Sequence, residues 1–429
     1  MKESLSKNNH IIIVTYNWPP RNAIGTHRAY AWARHWAEAG AEITVLTAEK
    51  QPFDGPVDLD LPNPSGVRVI EVPFARTTKL AGRALKFDFA RRLAKKIKAW
   101  INRWGSKPFD PRSRWHSAAR PTALQLAQTA DIVVSTYGPS ASHLIASDMK
   151  QSNPAIRWIA DYRDLWSQSH HEGISTLARQ AMRKEELASV GRFADLLTTV
   201  SDDLRRKLVE LTGKSVLCVP NGFDIDEDTI RERLIKQPES SGPPFRIVYT
   251  GTLYAGLQDP RPLLDALDRM YSKGLIGDGE VTVDFYGSRL DPLNRLAEDP
   301  SYARFIEVKG HVTRNQALHA QRNADLLLLL ESPRPEARGV LTGKLFEYIA
   351  SGRPILSIGS RPEYEIGKVL AATGTGMTFG PEEYGHIDEV LLESIKGKGV
   401  YDAYAPEIEE IMKYSRERLA HDMFLRITE

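Results

Sequence analysis

The sequence predicts an α/β protein of two doubly wound domains, each with a parallel sheet between layers of helices. Its 429 residues are enough for two or three domains of about 150 residues each. Short apolar runs alternate with helical patterns along most of the chain, as expected for parallel strands joined by crossover helices. This alternation stops once, at the polar segment 226–244, which ends in PESSGPP, and then starts again.

Composition excludes several classes of protein. Hydrophobic residues make up 41% and charged residues 26%, which is typical of a globular domain and not of a disordered, collagenous or coiled-coil chain. Lys+Arg 57 against Asp+Glu 55 gives a net charge of +2, so no nucleic-acid partner is expected. The single cysteine excludes a disulfide framework and a cysteine zinc cluster. Cys218 lies in the apolar stretch VLCVP and is predicted to be buried.

No segment has the length and apolarity of a membrane span. The longest aliphatic run, 326–330, is far shorter than the roughly 20 residues that crossing requires. The N-terminal MKESLSKNNH also lacks the apolar core of a signal peptide. We therefore expect a cytoplasmic protein.

The first domain is expected to span 1–225. Its first strand is predicted from the continuous apolar run HIIIVTY, which indicates burial on both faces of a sheet. Apolar residues at helical spacing then predict a helix that begins at Gly25 and ends at Gly40. The predicted strands of this domain are 10–16, 42–47, 67–72, 131–136, 156–160, 196–200 and 216–219.

The second domain is expected to span 245–405, after a linker at 226–244. Its predicted strands are 245–250, 281–286, 305–308, 325–330 and 354–358. The remaining 406–429 is amphipathic and predicts one helix. No strand follows that helix, so it need not belong to the second sheet.

The segment RGVLTGKLFEYIASGRPI at 338–355 is the most informative. A helix is predicted to begin at Thr342 or Gly343, directly after the strand ADLLLLLE, at the edge where open parallel sheets bind ligands. Free N–H groups at its first turn, together with Lys344, suit a diphosphate. Glu347 lies three residues further on and could accept two hydrogen bonds from a ribose diol. The alternative is a solvated Lys–Glu pair.

Two segments of the first domain could also contact a ligand. Gly25 would let the backbone approach a ligand, or it is a plain turn glycine. The stretch DYRDLW follows a predicted strand. There Asp161 or Asp164 could orient a sugar and Arg163 could meet a phosphate or carboxylate. The alternative is a structural cluster of ion pairs.

Five motifs in this order resemble the retaining GT-B glycosyltransferases, in particular glycosyltransferase family four of the bacterial surface-polysaccharide type. They are IIIVTYNWPPRNAIGTHR, TTVSDDLRRKL, VPNGFD, YTGTL and GKLFEYIASGRPIL. The resemblance covers nearly the whole chain. It implies a GT-B fold with a cleft between two Rossmann-like domains and a C-terminal helix that crosses back onto the first.

The resemblance implies a UDP-sugar or GDP-sugar donor held mainly by the second domain. Lys344 and the N–H groups of 341–344 would bind its diphosphate, and Glu347 its ribose. Gly25 would let the first domain close over the phosphates. Gly251 and Thr252 would lie near the donor. Enzymes of this family need neither a cofactor nor an active-site metal, because cationic side chains stabilise the leaving diphosphate.

The chain departs from the family pattern at three places. The family has a second Glu eight residues before the ribose-binding one, where this sequence has Gly339. The family's Arg after the opening strand of the second domain is replaced by Thr252; Arg261 could supply that charge, or be a surface residue. Where many members carry a His-Asp pair, this chain has DYRDLW.

Positive charge is concentrated at 76–120. This segment holds 14 basic and 2 acidic residues, a net charge of +12. Lys95, Lys96, Trp100 and Trp104 fall in a basic amphipathic pattern, which favours a membrane-surface helix on the inner face of the cytoplasmic membrane. The alternative is a helix that packs on the sheet. The membrane interpretation implies a lipid-linked saccharide acceptor.

The sequence therefore predicts a retaining hexosyltransferase that builds cell-surface polysaccharide. Two alternatives remain open: a GT-B sugar-nucleotide epimerase, and a non-catalytic GT-B scaffold subunit, which the missing Glu and Arg would suit.

Overall fold

The structure is a computed structural model that describes residues 9–74, 110–169, 174–235, 242–288 and 290–429. The chain divides into two compact units. The first comprises Met1–Pro220 together with Leu419–Glu429, and the second comprises Asn221–Arg418. Both are doubly wound α/β units, which confirms the predicted fold class.

The first unit contains a seven-stranded parallel sheet with the order β3-β2-β1-β4-β5-β6-β7. Its strands are β1 His10–Val14, β2 Glu42–Ala48, β3 Val67–Val72, β4 Ile132–Thr136, β5 Arg157–Tyr162, β6 Leu196–Thr199 and β7 Val216–Cys218.

Helices connect these strands. They are α1 Ile24–Glu38, α2 Arg114–Leu126, α3 Ala141–Ser152, α4 Thr176–Glu186 and α5 Asp202–Thr212, with a 3₁₀ turn at Pro111–Ser113 and a π-helical turn at Leu187–Gly191. The helix predicted from Gly25 to Gly40 is α1. It stops before Gly40, whose φ of 97° is the left-handed conformation that ends helices.

The core of this unit lies on both faces of the sheet. β1 is buried throughout. Successive side chains of a strand point to opposite faces, so Ile12 and Val14 join one apolar cluster while Ile11 and Ile13 join the other. The continuous apolar run at the start of the sequence is therefore explained by two-sided burial.

The end of the chain completes the first unit. Trp36 of α1 donates its indole N–H to the carbonyl of Ala420 at 2.8 Å, and Phe424 belongs to the same apolar cluster as Trp36. Arg157 donates to the carbonyl of Ile427 at 3.0 Å. The single helix predicted over 406–429 is instead two helices, α14 Ile408–Met412 and α15 Arg416–Thr428.

The second unit contains a six-stranded parallel sheet with the order β10-β9-β8-β11-β12-β13. Its strands are β8 Phe245–Thr250, β9 Val281–Tyr286, β10 Ile306–Gly310, β11 Leu326–Leu330, β12 Ile355–Ile358 and β13 Gly376–Phe379. The last of these was not predicted, because it has only four residues and follows glycine-rich sequence.

The helices of the second unit lie on both faces of its sheet, where two apolar clusters form. They are α6 Glu227–Ile235, α7 Arg261–Ser272, α8 Asp291–Ala297, α9 Pro300–Ala303, α10 Arg314–Arg322, α11 Gly343–Ile349, α12 Glu365–Thr373, α13 Ile387–Ile395 and α14, with 3₁₀ turns at Pro335–Ala337 and Pro381–His386. Helix α6 lies inside the range 226–244 that the sequence suggested as a linker.

The prediction that Cys218 is buried was wrong, because the residue ends the edge strand β7 and is exposed. Over the described ranges, none of the helices is both long and apolar enough to cross a membrane.

Candidate functional site

Each sheet reverses its strand order at one place, and ligands of open α/β sheets bind at the carboxyl edge there. In the first unit this place lies between β1 and β4, and in the second between β8 and β11. The loops and helices that follow β1, β8 and β11 carry the predicted donor-binding residues.

Lys344 stands at the carboxyl edge of the second sheet. Its ammonium donates to the hydroxyl of Tyr249 at 2.8 Å, and that hydroxyl donates in turn to the carbonyl of Thr252 at 2.8 Å. Gly251 has a φ of 119°, and a Cβ there would lie 3.1 Å from Cδ of Lys344. The absence of a side chain at Gly251 therefore lets the Lys344 side chain lie along the end of β8. The hydrogen bond to Tyr249 fixes the position of the Lys344 ammonium group.

Glu331, at the end of β11, is the acidic neighbour of Lys344. Burial lowers the pKa of the Lys344 ammonium, whereas the charges of Glu331 and Glu347 raise it. Burial likewise raises the pKa of the Glu331 carboxyl, against the attraction of Lys344. A partly buried cation interacts more strongly with an approaching anion than a fully solvated one does.

Helix α11 is fixed to the sheet by Tyr348, which is fully buried. Its hydroxyl accepts from the backbone N–H of Thr250 at 2.8 Å. The helix begins at Gly343 with Thr342 as its N-cap residue, as predicted. Since α11 has only seven residues, the Lys344 side chain rather than the helix dipole supplies the main positive charge.

Glu347 is paired with Arg314 of α10. The closest nitrogen and oxygen of the pair are 2.9 Å apart, and 20% of the Glu347 side chain remains exposed. Buried Arg416 interacts electrostatically with both residues, and it bonds to Asp224. The ion pair with Arg314 orients the Glu347 carboxylate and leaves part of its surface exposed to a ligand.

The other predicted donor residues have different surroundings. The Thr252 and Ser288 hydroxyls are 3.1 Å apart at the ends of β8 and β9. Arg261 begins α7, and its guanidinium is exposed and bound to Asp259. The structure thus brings Gly251, Thr252 and Lys344 together. Arg261 instead forms an ion pair with Asp259, two residues before it in the sequence.

In the first unit, Asp161 is completely buried inside β5, which runs to Tyr162 and therefore past the end predicted for it. Arg28 donates to both of its oxygens, at 3.1 and 2.8 Å, and the Thr198 hydroxyl donates to one of them at 2.7 Å. Arg28 also donates to the carbonyl of Pro220 at 2.9 Å. This arrangement positions α1 against the sheet and leaves both carboxylate oxygens of Asp161 hydrogen-bonded inside the protein.

Arg163 and Asp164 follow β5 and form an ion pair in which 23% and 40% of the two side chains are exposed. Arg163 lies directly over Gly25, where a Cβ would be 2.6 Å from its Nη1 and 2.7 Å from Nδ2 of Asn17. Asn17 in turn donates to the carbonyl of Gly138 at 3.2 Å. Gly25 is therefore required for close packing with Arg163 and Asn17, and its φ is not in the left-handed region.

Lys95, Lys96, Trp100 and Trp104, predicted to contact acceptor and membrane, lie outside the described residues. Sequence reasoning also missed several contributors to the two edges: Asn17, Arg28, Tyr249, Arg314 and the role of Glu331. The strand-end positions of Asn17 and Tyr249 were the available signal. The partners Arg28 and Arg314 become visible only in three dimensions.

Comparison with known proteins finds a family resemblance in the first unit. Residues 25–222 match the family model described as a glycosyl transferase 4-like domain. This part of the chain therefore resembles a glycosyltransferase domain, and the two doubly wound α/β units match the GT-B layout. No curated protein matches the sequence.

Solved structures share the fold of this chain over nearly its whole length. The N-terminal domain of a Candida albicans trehalose-6-phosphate phosphatase has a TM-score of 0.64 at 15% identity, covering 100% of this chain and 98% of that one. A glycosyltransferase from Rickettsia africae has a TM-score of 0.58 at 13% identity, covering 98% of each chain. A UDP-forming α,α-trehalose-phosphate synthase from Burkholderia vietnamiensis has a TM-score of 0.56 at 11% identity, covering 98% and 99%.

Proposed function

We propose that this protein is a glycosyltransferase that moves a hexose from a UDP-sugar or GDP-sugar to a lipid-linked or glycan acceptor, with retention of configuration and without a metal ion. The observation that carries the donor assignment is the arrangement of Lys344, Gly251 and Glu347 at the carboxyl edge of the second sheet. It offers a partly buried cation for a diphosphate and, three residues further along α11, an oriented carboxylate for a ribose diol.

The chemistry follows from these groups. Lys344 would stabilise the negative charge that develops on the leaving diphosphate. The leaving diphosphate would take the proton of the incoming hydroxyl on the same face of the sugar, so no protein base is needed. The chain's part is to orient donor and acceptor, with Arg163 and Asp164 as candidates for contacts to a sugar or phosphate and Asp161 as a positioning residue.

Binding of the donor can be tested directly. We expect one nucleoside diphosphate among UDP, GDP, ADP and CDP to raise the Tm of the full chain. Lys344→Met should weaken that binding by about 10- to 100-fold, since charge-assisted hydrogen bonds contribute about 1.5–3 kcal/mol. Glu347→Ala should weaken binding of the nucleotide, and of the corresponding nucleoside as well. Lys368→Ala, an exposed change on the neighbouring helix α12, is the matched control.

Turnover separates the enzyme from its alternatives. Incubation with the sugar nucleotide and candidate acceptors in EDTA should give a glycoside with the anomeric configuration of the donor, read by proton NMR. Tight donor binding without any transfer would favour the scaffold subunit, and release of an altered free sugar would favour the epimerase. Full activity in Glu347→Ala would contradict its assignment to the ribose.

Association with the inner face of the cytoplasmic membrane is a separate part of the proposal. It rests on the charge of 76–120. The protein should float with vesicles of anionic lipid at low salt and be released at high salt. Replacing Lys95 and Lys96 by Glu, or Trp100 and Trp104 by Ala, should abolish flotation. Absence of salt-sensitive flotation in the unmodified protein would contradict it.

A further inference from the structure

Three cationic side chains surround the buried ring of Tyr16 in the first unit. The guanidinium carbon of Arg21 is 5.5 Å from the ring centroid, the ammonium of Lys50 is 5.6 Å away, and the guanidinium carbon of Arg112 is 5.8 Å away. We call Arg21, Lys50 and Arg112 the cation cluster.

The cluster lies at the carboxyl edge of the first sheet. Arg21 is in the loop after β1, Lys50 follows the end of β2, and Arg112 is in the 3₁₀ turn before α2. Because β1 and β2 are parallel neighbours, their carboxyl ends bring the first two side chains together. This is the edge where a ligand of the first unit would bind.

Protein hydrogen-bond acceptors account for two of the three cations. Asp110 is bidentate with Arg112, with a closest contact of 2.7 Å. Lys50 donates to the Thr47 hydroxyl at 3.2 Å and to the carbonyl of Ala48. Glu71 and Asp54 also act on Lys50 electrostatically.

Asp54 is already occupied. Its carboxylate accepts the Tyr16 hydroxyl at 2.8 and 2.9 Å and the backbone N–H of Gln51 at 2.7 Å. It attracts Arg21 from a distance.

Arg21 is the exception in the cluster. Its Nε and Nη1 atoms are buried, and over the ranges that the structure describes neither has a hydrogen-bond acceptor. Burial lowers the pKa of its guanidinium, and the positive charges of Arg112 and Arg163 lower it further. Buried donors without acceptors are rare and destabilising, by about 1–3 kcal/mol each. A bound anion would satisfy the donors and relieve the repulsion.

We propose that the cation cluster binds a phosphate group of the acceptor substrate, with the fork of Arg21 as the principal contact. This rests on the proposed function, in which the first unit receives the acceptor. A phosphate fits better than a carboxylate, because it has more oxygens and up to two negative charges for three converging cations. It also explains why a partly buried arginine has no protein acceptor.

The primary test uses the full chain and two substitutions. In phosphate-free buffer, Arg21→Met should raise the Tm, because it removes a desolvated charge and leaves an apolar side chain on the Tyr16 ring. Binding of inorganic phosphate and of a hexose monophosphate, measured by calorimetry, should weaken at least tenfold in Arg21→Met and in Lys50→Met. The control is Arg34→Gln, an exposed change on α1, where Arg34 pairs with Glu38 at 2.9 Å. It should change neither the Tm nor the affinity for phosphate.

The source of the phosphate is resolved by two further probes. Binding of the hexose monophosphate, with no Arg21-dependent binding to vesicles that contain a polyisoprenyl phosphate, indicates a soluble sugar phosphate. Arg21-dependent sedimentation with those vesicles indicates a lipid-linked phosphate. Either result supports the site.

The proposal is overturned if the unmodified protein binds none of these probes saturably, or if Arg21→Met binds them equally well. A lower Tm for Arg21→Met, with unchanged phosphate affinity in Lys50→Met, would likewise make the cluster structural. Nucleotide binding distinguishes a failure of the cation-cluster proposal from a failure of the proposed function. Retained nucleotide binding and sugar transfer with no phosphate site refutes only the cluster, whereas Arg21-dependent phosphate binding in a protein that binds no nucleotide refutes the proposed function.

Discussion

At the scale of single residues, a substitution at Gly25 should reduce activity without reducing stability. A Cβ at this position would lie within 2.7 Å of Arg163 and Asn17, both at the end of flexible side chains. Gly25→Ala should therefore leave the fold intact and displace those two side chains. We expect the Tm to change little and kcat/KM to fall about tenfold or more, which corresponds to about 1.4 kcal/mol.

A matched control for this change is Gly385→Ala. A Cβ at Gly385 meets no atom within 4 Å, so neither stability nor turnover should change. If Gly25→Ala retained full turnover, the close packing at α1 would have no part in catalysis. A large loss of Tm would instead make Gly25 a structural residue.

Single residues also show how far sequence alone reaches. Lys344 and Glu347 could be predicted because they stand in one short segment whose helical spacing fixes their relation. Arg28 and Asp161 are 133 residues apart, and they meet because the strand order puts β5 two places from β1. Arg314 pairs with Glu347 for the same kind of reason. Local patterns predict which residues reach the edge of a sheet, but not which partners they find there.

At the scale of elements, most strands could be predicted, because two-sided burial demands continuous apolar runs. The C-terminal helix shows the limit of this reasoning. Its amphipathic pattern is continuous, yet it breaks between α14 and α15, where Phe223 exchanges backbone hydrogen bonds of 3.0 Å with Tyr414 and Arg416. Pairing with a distant segment overrides the local helical preference at this point.

Helix α15 gives a prediction at this scale. Phe424 is 4% exposed and packs near Trp36, whereas the adjacent Leu425 is 42% exposed. Phe424→Ala should reduce the free energy of unfolding of the first unit by about 3–5 kcal/mol, since it empties a buried site. Leu425→Ala should change it by less than about 0.5 kcal/mol. Equal effects of the two changes in urea unfolding would mean that this face of α15 does not stabilise the unit.

At the scale of the whole molecule, each unit has its own apolar clusters on both faces of its sheet. All eight tryptophans of the chain lie before residue 167. Tryptophan fluorescence therefore reports the first unit alone. This asymmetry makes it possible to assign a stability change to one unit in the intact chain.

Acid should destabilise the first unit through His143 of α3. The ring lies among aromatic side chains, with its centroid 4.8 Å from that of Tyr162, and Nδ1 is 2.7 Å from the Ser135 hydroxyl. Burial lowers the pKa of His143 to about 3, against about 6.5 in the unfolded chain. Between these values the unfolded state binds the proton and the folded state does not. The folding free energy that depends on a neutral His143 is thus present above about pH 6.5 and is lost as the pH falls below it.

From pH 7.5 to 5.0 this loss amounts to about 2 kcal/mol. His143→Gln should remove that part of the pH dependence, so that urea unfolding followed by tryptophan fluorescence gives a flatter profile for the variant. Lost packing lowers the stability of the variant by the same amount at both pH values, so the slope of stability against pH reports the protonation of His143 separately. Identical slopes in the two proteins would mean that His143 is protonated inside the fold, and that the aromatic cluster around it tolerates a charge.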